Sequence, residues 1–516
     1  MRDGSTRWIT LAELTHPDIV AFDAARPDFN VALAQFVIAL LQSIDLAADE
    51  DAWWDRFEQV PSAAVLQQYF APLEEAFELD GPGMRFMQDP DLPETSESPV
   101  AIAALLIDSP GENALRNNSD HFVKRGRVEG MCPSCAATAL FTLQINAPSG
   151  GAGHRTGLRG GGPLTTLLEL SPARSLWHDL WLNVQPRDSY LRKSNCNVEA
   201  DKPGARFPWM ESLEVLQPGE SISPMMVHPD HVLWSQPRRI RLDFRTTTEG
   251  QCGICGRKDQ ILVHQYTTRN YGLNYKQGWL HPLSPYYEHK DEWLPLHPQT
   301  GGVGYRHWSG WVLGQDSPKH KIRRAAVLEA RLKADFSVGQ DLRLWCSGYE
   351  MDNMKPICWH ESRMPLYRLQ ECDAQQTQRI SAAVGAWTQS AQLAVSQLRS
   401  AVRDAWFGAE AKGDFGAVDT AFWDKTEGAF YLSLRILMAE VLQAGLDEDA
   451  RHEALSQLNQ DWLNTLRKTT LHLFEQDFVG TGAIEKQNPA RVASAYKKLR
   501  GSLYGKLHKE LLNIPL

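Results

Sequence analysis

Two short patterns in this 516-residue sequence have the residue types and spacing to hold a metal ion: Cys132-Pro-Ser-Cys135 and Cys252-Gly-Ile-Cys255. A C-x-x-C turn presents two thiolates to one ion, and two such turns complete the tetrahedral four-sulfur set that zinc favours. A site closed by four protein sulfurs keeps no open position, so its zinc would be structural. Gly256 suits the turn after the second pair. Two reduced thiol pairs without metal are the alternative. If zinc binds, it joins segments separated by residues 136–251 and makes on the order of 10 kcal/mol available to folding.

Other candidates for chemistry are weaker. "VHPDHVLW" supplies His228, Asp230 and His231, which a loop turn explains as well as a second metal does. His178-Asp179 lies in an apolar run and reads as a helix-face pair. No G-x-S-x-G, H-E-x-x-H or kinase set is present, and no catalytic residue is assigned. The alternative to a binding protein is a zinc-containing nucleic-acid-processing enzyme that uses His228, Asp230 and His231.

Three stretches suit contact with a nucleic acid. "GGAGHRTGLRGGGP" (150–163) has seven glycines in fourteen residues. Pro163-Leu164 follows where a P-loop needs Lys-Ser/Thr, and the dinucleotide fingerprint would need a preceding strand. A flexible linker remains open. The apolar run "PLTTLLEL" favours an ordered turn whose bare backbone faces a ligand. "GYEMDNMKPICWH" (348–360) places Asp352, Asn353, Met354 and Lys355 between a glycine and a proline, as a hydrogen-bonding wedge or a plain surface loop. "TTRNYGLNYKQGW" (267–279) interleaves Arg269, Asn270 and Lys276 with Tyr271, Tyr275 and Trp279, a pattern suited to nucleic acid or to an edge strand. Lys124, Arg125 and Arg127, between Gly126 and Gly130 or just before them, form a basic loop ahead of the first cysteine pair.

The elements that must position these residues predict an α+β chain with more than one domain. Helical spacing appears over 29–44 and 62–79, and "CAATALFTLQINAP" reads as a helix entering the glycine stretch. "RRIRLDFRTTT" (238–248) and "QILVHQYTT" (260–268) alternate as strands and flank the second cysteine pair, placing it at a hairpin tip. "VLEARLKADF" and "DLRLWCSGYEM" suggest a further strand or helix pair. Residues 1–373 are expected to form a mixed domain carrying the metal site. Residues 374–516 show four amphipathic patterns, 375–408, 417–445, 449–476 and 488–513, read as a four-helix bundle. The fourth starts with Asn488 as cap and Pro489, and its apolar stripe is Val492, Tyr496, Leu499, Leu503, Leu507 and Leu511.

The net charge is −10, which argues against coating of a polyanion by the whole chain. Residues 374–516 carry 16 basic and 16 acidic side chains, so the acidic excess lies before them and any polyanion contact must be local. Seventeen tryptophans suggest extended apolar contacts or stacking surfaces. Eight cysteines do not make a disulfide scaffold. The absence of a signal-type or long apolar run predicts no membrane span and a cytoplasmic protein.

"HFVKRGRVEGMCPSCAATALF", "GLRGGGPLTTLL", "QCGICG", "HPLSPYY" (281–287), "GYEMDNMK" and the terminal helices, in this order, resemble the CasA family. These are large subunits of the type I-E CRISPR surveillance complex, Cascade. The resemblance implies a non-enzymatic DNA-binding protein. It would check the short PAM in duplex DNA, largely from the minor groove, while guide RNA reads the target. It would also help open the duplex and recruit the helicase–nuclease. By the same resemblance, Gly157, Gly160 and Gly161 match the glycine loop. Arg269 or Asn270 matches the basic minor-groove position. Asp352, Asn353, Met354 and Lys355 match the wedge, with Asn353 at its tip. Phe122, Val123 and Lys124 match a mobile loop that docks on the crRNA-containing subunits. The terminal bundle would meet the small subunits and the displaced strand.

Overall fold

A computed structural model describes residues 1–110, 126–213, 220–276, 278–317, 321–332, 338–353, 355–407, 413–443, 447–480 and 489–515. Phe122, Val123, Lys124, Arg125, Met354 and Asn488 lie outside the described residues. The chain divides into two compact units. The first comprises Met1–Pro298, Pro318–Ala330 and Trp345–Glu361; the second comprises Gln299–Ser317, Arg331–Leu344 and Ser362–Leu516. Helices and small sheets are mixed, as the α+β expectation requires.

In the first unit, Pro27 opens a helix, Pro27–Ser43, that is buried along most of its length. Proline costs nothing at a first helical position, where the N–H has no intrahelical partner. This helix packs against the helices Pro133–Asn146 and Leu176–Trp181. The pattern at 62–79 is only partly α-helical: Ala63–Phe70 passes into a 3-10 turn, Ala71–Phe77, at Pro72. Proline there removes a donor from the α ladder.

Most of the tryptophans serve the interior, although Trp8 is exposed. Trp53, Trp177 and Trp181 form a stack whose indole N–H groups donate to the carbonyls of Val184, Arg56 and Trp53. Trp234 lies among Phe36, Phe77, Phe86, Phe141, Phe207 and Trp209. Trp53, Trp177, Trp181 and Trp234, whose indole donates to Ser43 Oγ, therefore keep their apolar rings in the core and satisfy their polar edges.

Strand Arg239–Leu242 pairs antiparallel with Gln265–Arg269, placing Arg239 opposite Arg269. Thr248–Gln251 and Lys258–Leu262 form the expected hairpin, with the second cysteine pair at its tip. The apolar run after the glycines is the strand Thr165–Ser171, buried through Leu170. It edges a sheet whose other members are the long strands Asp341–Asp352 and Lys355–Tyr367. "VLEARLKADF" supplies the short helix Ala326–Arg331.

In the second unit, Asp373 caps the helix Ala374–Trp406: its carboxylate accepts from Gln376 N at 2.8 Å, and the Gln376 side chain accepts from Asp373 N at 2.8 Å. Gly416–Leu442, Glu448–His472 and Pro489–Leu503 pack against this helix. The last predicted helix is not continuous. It ends at Leu503 and restarts over Lys506–Leu511 from Gly505. The break rotates the apolar face: Val492, Leu499 and Leu503 are buried, but Leu507 is 50% exposed, and His508 and Leu512 are buried instead. Among the described residues, no helix is long and apolar enough to cross a membrane.

Candidate nucleic-acid interface and metal-binding cluster

The helix Pro133–Asn146 begins at one cysteine pair and ends at the glycine stretch, so it links the two features directly. At its start, the two C-x-x-C turns meet. The sulfurs of Cys132, Cys135, Cys252 and Cys255 all lie within 4.8 Å of one another, and Cys132 Sγ is 3.9 Å from Cys255 Sγ. Backbone geometry holds them there. Gly253 N donates to Gly130 O at 2.9 Å, and Met131 bridges Val263. Cys132 N donates to Cys252 Sγ at 3.3 Å. A Cβ on Gly253 would fall 3.0 Å from Val128 Cα, a tight fit against backbone, and Gly256 takes the left-handed φ of +72°.

Crowding splits the acidities of these thiols. Hydrogen bonds from Cys132 and Cys135 hold Cys252 well below the usual thiol range, and the Cys132 and Cys252 sulfurs push Cys135 far above it. Four free thiols this close cannot all ionise unless a cation neutralises them. The donor set fits a metal ion.

At the other end of the helix, the glycine stretch is two structures. Residues 157–162 fold back on the helix terminus: Gly157 N donates to Ala147 O, Gly160 N to Gly157 O, and Gly162 N to Asn146 O. Gly157 and Gly161 are buried, and Gly160 is half-buried. A Cβ on Gly157 would meet Gly160 O at 3.1 Å, and one on Gly160 would meet His297 Cε1 at 2.9 Å. Packing within the chain therefore already demands these glycines. Residues 149–154 form the more exposed arm of the stretch.

This arm is seated on the strand that carries Arg269. Tyr271 N donates to Gly153 O at 2.9 Å, and Asn270 Nδ2 donates to Ala152 O at 3.0 Å. Arg269 and Asn270 are exposed at the strand end. The interleaved aromatics separate: Tyr271 lies under the Arg155 guanidinium at 5.5 Å, whereas Tyr275 and Trp279 are core residues against His231. Lys276 is exposed as well, so the polar side chains Arg269, Asn270 and Lys276 face outward while Tyr275 and Trp279 do not.

The far end of the glycine turn meets the long hairpin. A Cβ on Gly162 would lie 2.7 Å from Tyr349 Cβ and 2.8 Å from Met351 Cε. Tyr349 OH donates to Asp28 Oδ2 at 2.6 Å, which fixes this arm to the first buried helix. The strand then leads to the turn. Asp352, Asn353 and Lys355 are exposed there; Asn353 has φ +46° and its side-chain amide donates to Asp352 Oδ1 at 3.0 Å. The three candidate stretches, far apart in sequence, are thus joined through the glycine stretch.

Two arginines beneath it were not legible as site residues. Arg159 is fully buried, and its guanidinium donates to Thr165 Oγ1, Ser284 Oγ and Gln35 Oε1 at 3.0, 3.0 and 2.7 Å. Arg238 N donates to Gln144 Oε1, and its guanidinium donates to Pro148 O and His154 Nδ1. All of these partners are neutral. Burial pushes both guanidinium groups down to about 10, so both remain cationic at neutral pH. The acidic chain therefore keeps two positive charges under its glycine stretch. The alternating pattern of "PRRIRL" hid Arg238 among strand residues.

His228, Asp230 and His231 do not form a metal site. Arg187 and Arg206 hold the Asp230 carboxylate at 2.9 and 2.6 Å. His231 Nδ1 donates to Ala205 O, and its Nε2 accepts from Tyr275 OH at 2.8 Å. Asp179 Oδ1 accepts from Leu170 N, and His178 pairs with Ser175. These residues serve packing.

Residues 1–473 match the family model described as CRISPR-associated protein Cse1. The chain belongs to the Cse1 family. Solved structures with the same fold include Thermobifida fusca Cse1, at 18% identity, covering 100% of this chain and 96% of that one with a TM-score of 0.69. They also include Thermus thermophilus CasA (Cse1), at 19% identity, with 95% of each chain covered and a TM-score of 0.63. A chain of a CRISPR RNA-guided surveillance complex matches at 16% identity, over 96% of this chain and 94% of that one, with a TM-score of 0.63. Membership of the Cse1 family agrees with the resemblance carried by the ordered motifs.

Proposed function

We propose that this Cse1-family chain is the PAM-recognising, DNA-binding large subunit of a type I-E Cascade ribonucleoprotein. The observation that carries the reading is the glycine stretch. It joins Arg269–Tyr271 to the strand that leads to the Asp352–Asn353 turn, and it includes or touches a buried Arg159 and a half-buried Arg238, both with neutral partners. Local positive potential on an acidic protein favours a few phosphate contacts over general coating of DNA. In this reading Arg269 or Asn270 enters the minor groove, Gly160 and the backbone beside it approach the duplex, and Asn353 and its neighbours wedge the strands apart. The close internal packing of Gly157 and Gly161 makes them supports of that backbone.

The four-cysteine cluster holds structural zinc, which fixes the start of the helix that ends at the glycine stretch. The protein itself performs no catalysis. It works in the cytoplasm with crRNA-containing Cascade subunits, docked by the segment that includes Phe122, Val123 and Lys124, and recruits the helicase–nuclease. The helices from Ala374 onward act as a four-helix bundle that meets the small subunits. The test is a gel shift of the reconstituted complex on matched targets with and without a PAM, at two salt concentrations. Tighter binding with the PAM at both salts supports the reading; equal binding overturns it.

A further inference from the structure

The two strands of the long hairpin bring three different metal-binding side chains together. Glu350 lies on the strand that enters the turn, and Cys358 and His360 lie on the strand that leaves it. Their donor atoms all fall within 4.8 Å of one another. Cys358 Sγ is 3.1 Å from His360 Nε2 and 3.8 Å from Glu350 Oε2; His360 Nε2 is 2.8 Å from Glu350 Oε2. Cys358 is exposed, whereas the side chains of His360 and Glu350 are only 20% and 12% exposed.

We propose that Glu350, Cys358 and His360 form a second, three-donor site for a divalent transition-metal ion such as Zn²⁺. One thiolate, one imidazole and one carboxylate are the ligand types that zinc accepts together, and three protein donors leave its fourth position to water. Bonds of about 2.0–2.3 Å in tetrahedral geometry put such donors roughly 3.3–3.7 Å apart. The present separations bracket that range, so small rotamer shifts suffice. Residues Cys358 and His360 stand two apart on one strand and therefore share a face.

The site differs from the four-cysteine cluster in both residues and character. That cluster is closed and largely buried; this one is open to solvent on one side and exchangeable. A bound ion would clip the two strands together beside the Asp352–Lys355 turn, stiffening the hairpin without touching its tip. Metal binding itself does not depend on the proposed PAM reading.

The test is a Co²⁺ titration of the full chain, isolated with zinc already in its four-cysteine cluster, followed by the near-ultraviolet thiolate-to-cobalt absorption. Wild type is expected to bind one more equivalent of Co²⁺ than C358S or H360Q, with a charge-transfer band that C358S removes. E350Q should weaken binding and keep the band. Cys358 is exposed and His360 and Glu350 are partly buried on the hairpin, and far-ultraviolet circular dichroism checks that each variant is folded. Equal Co²⁺ uptake by wild type, C358S and H360Q overturns the proposal and leaves Glu350–His360 as an ordinary hydrogen-bonded pair. The gel shift with and without a PAM reports separately on DNA recognition, so the two readings fail independently.

Discussion

A Cβ placed on Gly162 would sit 2.7 Å from Tyr349 Cβ, with Tyr349 O at 2.8 Å, on a backbone whose φ is +62°. The glycine turn and the arm of the long hairpin are therefore in contact at a point that tolerates no side chain.

Gly162→Ala combines left-handed strain with a backbone clash and should cost about 3 kcal/mol or more. Gly151, at φ +101° with nothing within 4 Å, is the contrast. Gly151→Ala carries strain alone, about 1–2 kcal/mol. Urea unfolding of both variants reads the difference, and equal losses would contradict the packing described.

Cys132→Ser should abolish the metal content of the four-cysteine cluster and lower the thermal midpoint by several degrees. Cys196→Ser, in a buried thiol away from that cluster, should leave the bound metal unchanged. Atomic absorption on the two purified variants makes the comparison.

Asn353→Ala should reduce PAM-dependent affinity of the reconstituted complex by about 1–3 kcal/mol, the value of one good groove contact. Lys355→Ala should weaken binding to all sequences and lower the salt slope by about one. Both side chains are exposed, so Lys355→Ala should hardly change thermal stability, whereas Asn353→Ala also carries the left-handed strain of φ +46°, about 1 kcal/mol.

Acid should destabilise the fold through its buried histidines. Burial pushes His231 down to about 4, and His178 and His508 likewise. The unfolded chain takes up these protons near the ordinary value of 6.5, before the folded one does. The stabilisation is complete above about pH 6.5 and is lost as pH falls from there toward 4. A depression of about two units corresponds to roughly 2–3 kcal/mol for a fully buried group. Comparing urea midpoints at pH 7 and pH 5, His231→Gln should show a shallower decline than wild type.

Much of this was legible in the sequence because local chemistry carried it. The C-x-x-C turns announced a four-sulfur cluster, and the alternating strands around Cys252 placed it at a hairpin tip. Helical spacing over 375–408 announced the first long terminal helix, which the structure begins at Ala374 behind the Asp373 cap. What the sequence hid depends on distant partners. Tyr275 and Trp279 look like a stacking surface until His231 packs against them. Leu507 fits the apolar stripe until the helix breaks before Gly505. Arg159 and Arg238 read as ordinary loop and strand residues, and only the fold surrounds them with neutral partners. The purpose of the glycines also changed: Gly157, Gly160 and Gly162 each face another part of the same chain, which any contact with DNA must accommodate.

The most direct measurement of the central claim is photocrosslinking. A photoreactive amino acid at position 353 or 269 of the full chain, in the reconstituted complex on a target duplex, reports which base pairs lie beside each position. The account predicts crosslinks from both positions to the PAM and its adjoining base pairs, and none from position 225, where Met225 is 66% exposed but lies outside the three joined stretches. Crosslinks from 353 and 269 that fall only on distant sequence, or none at all, would contradict it.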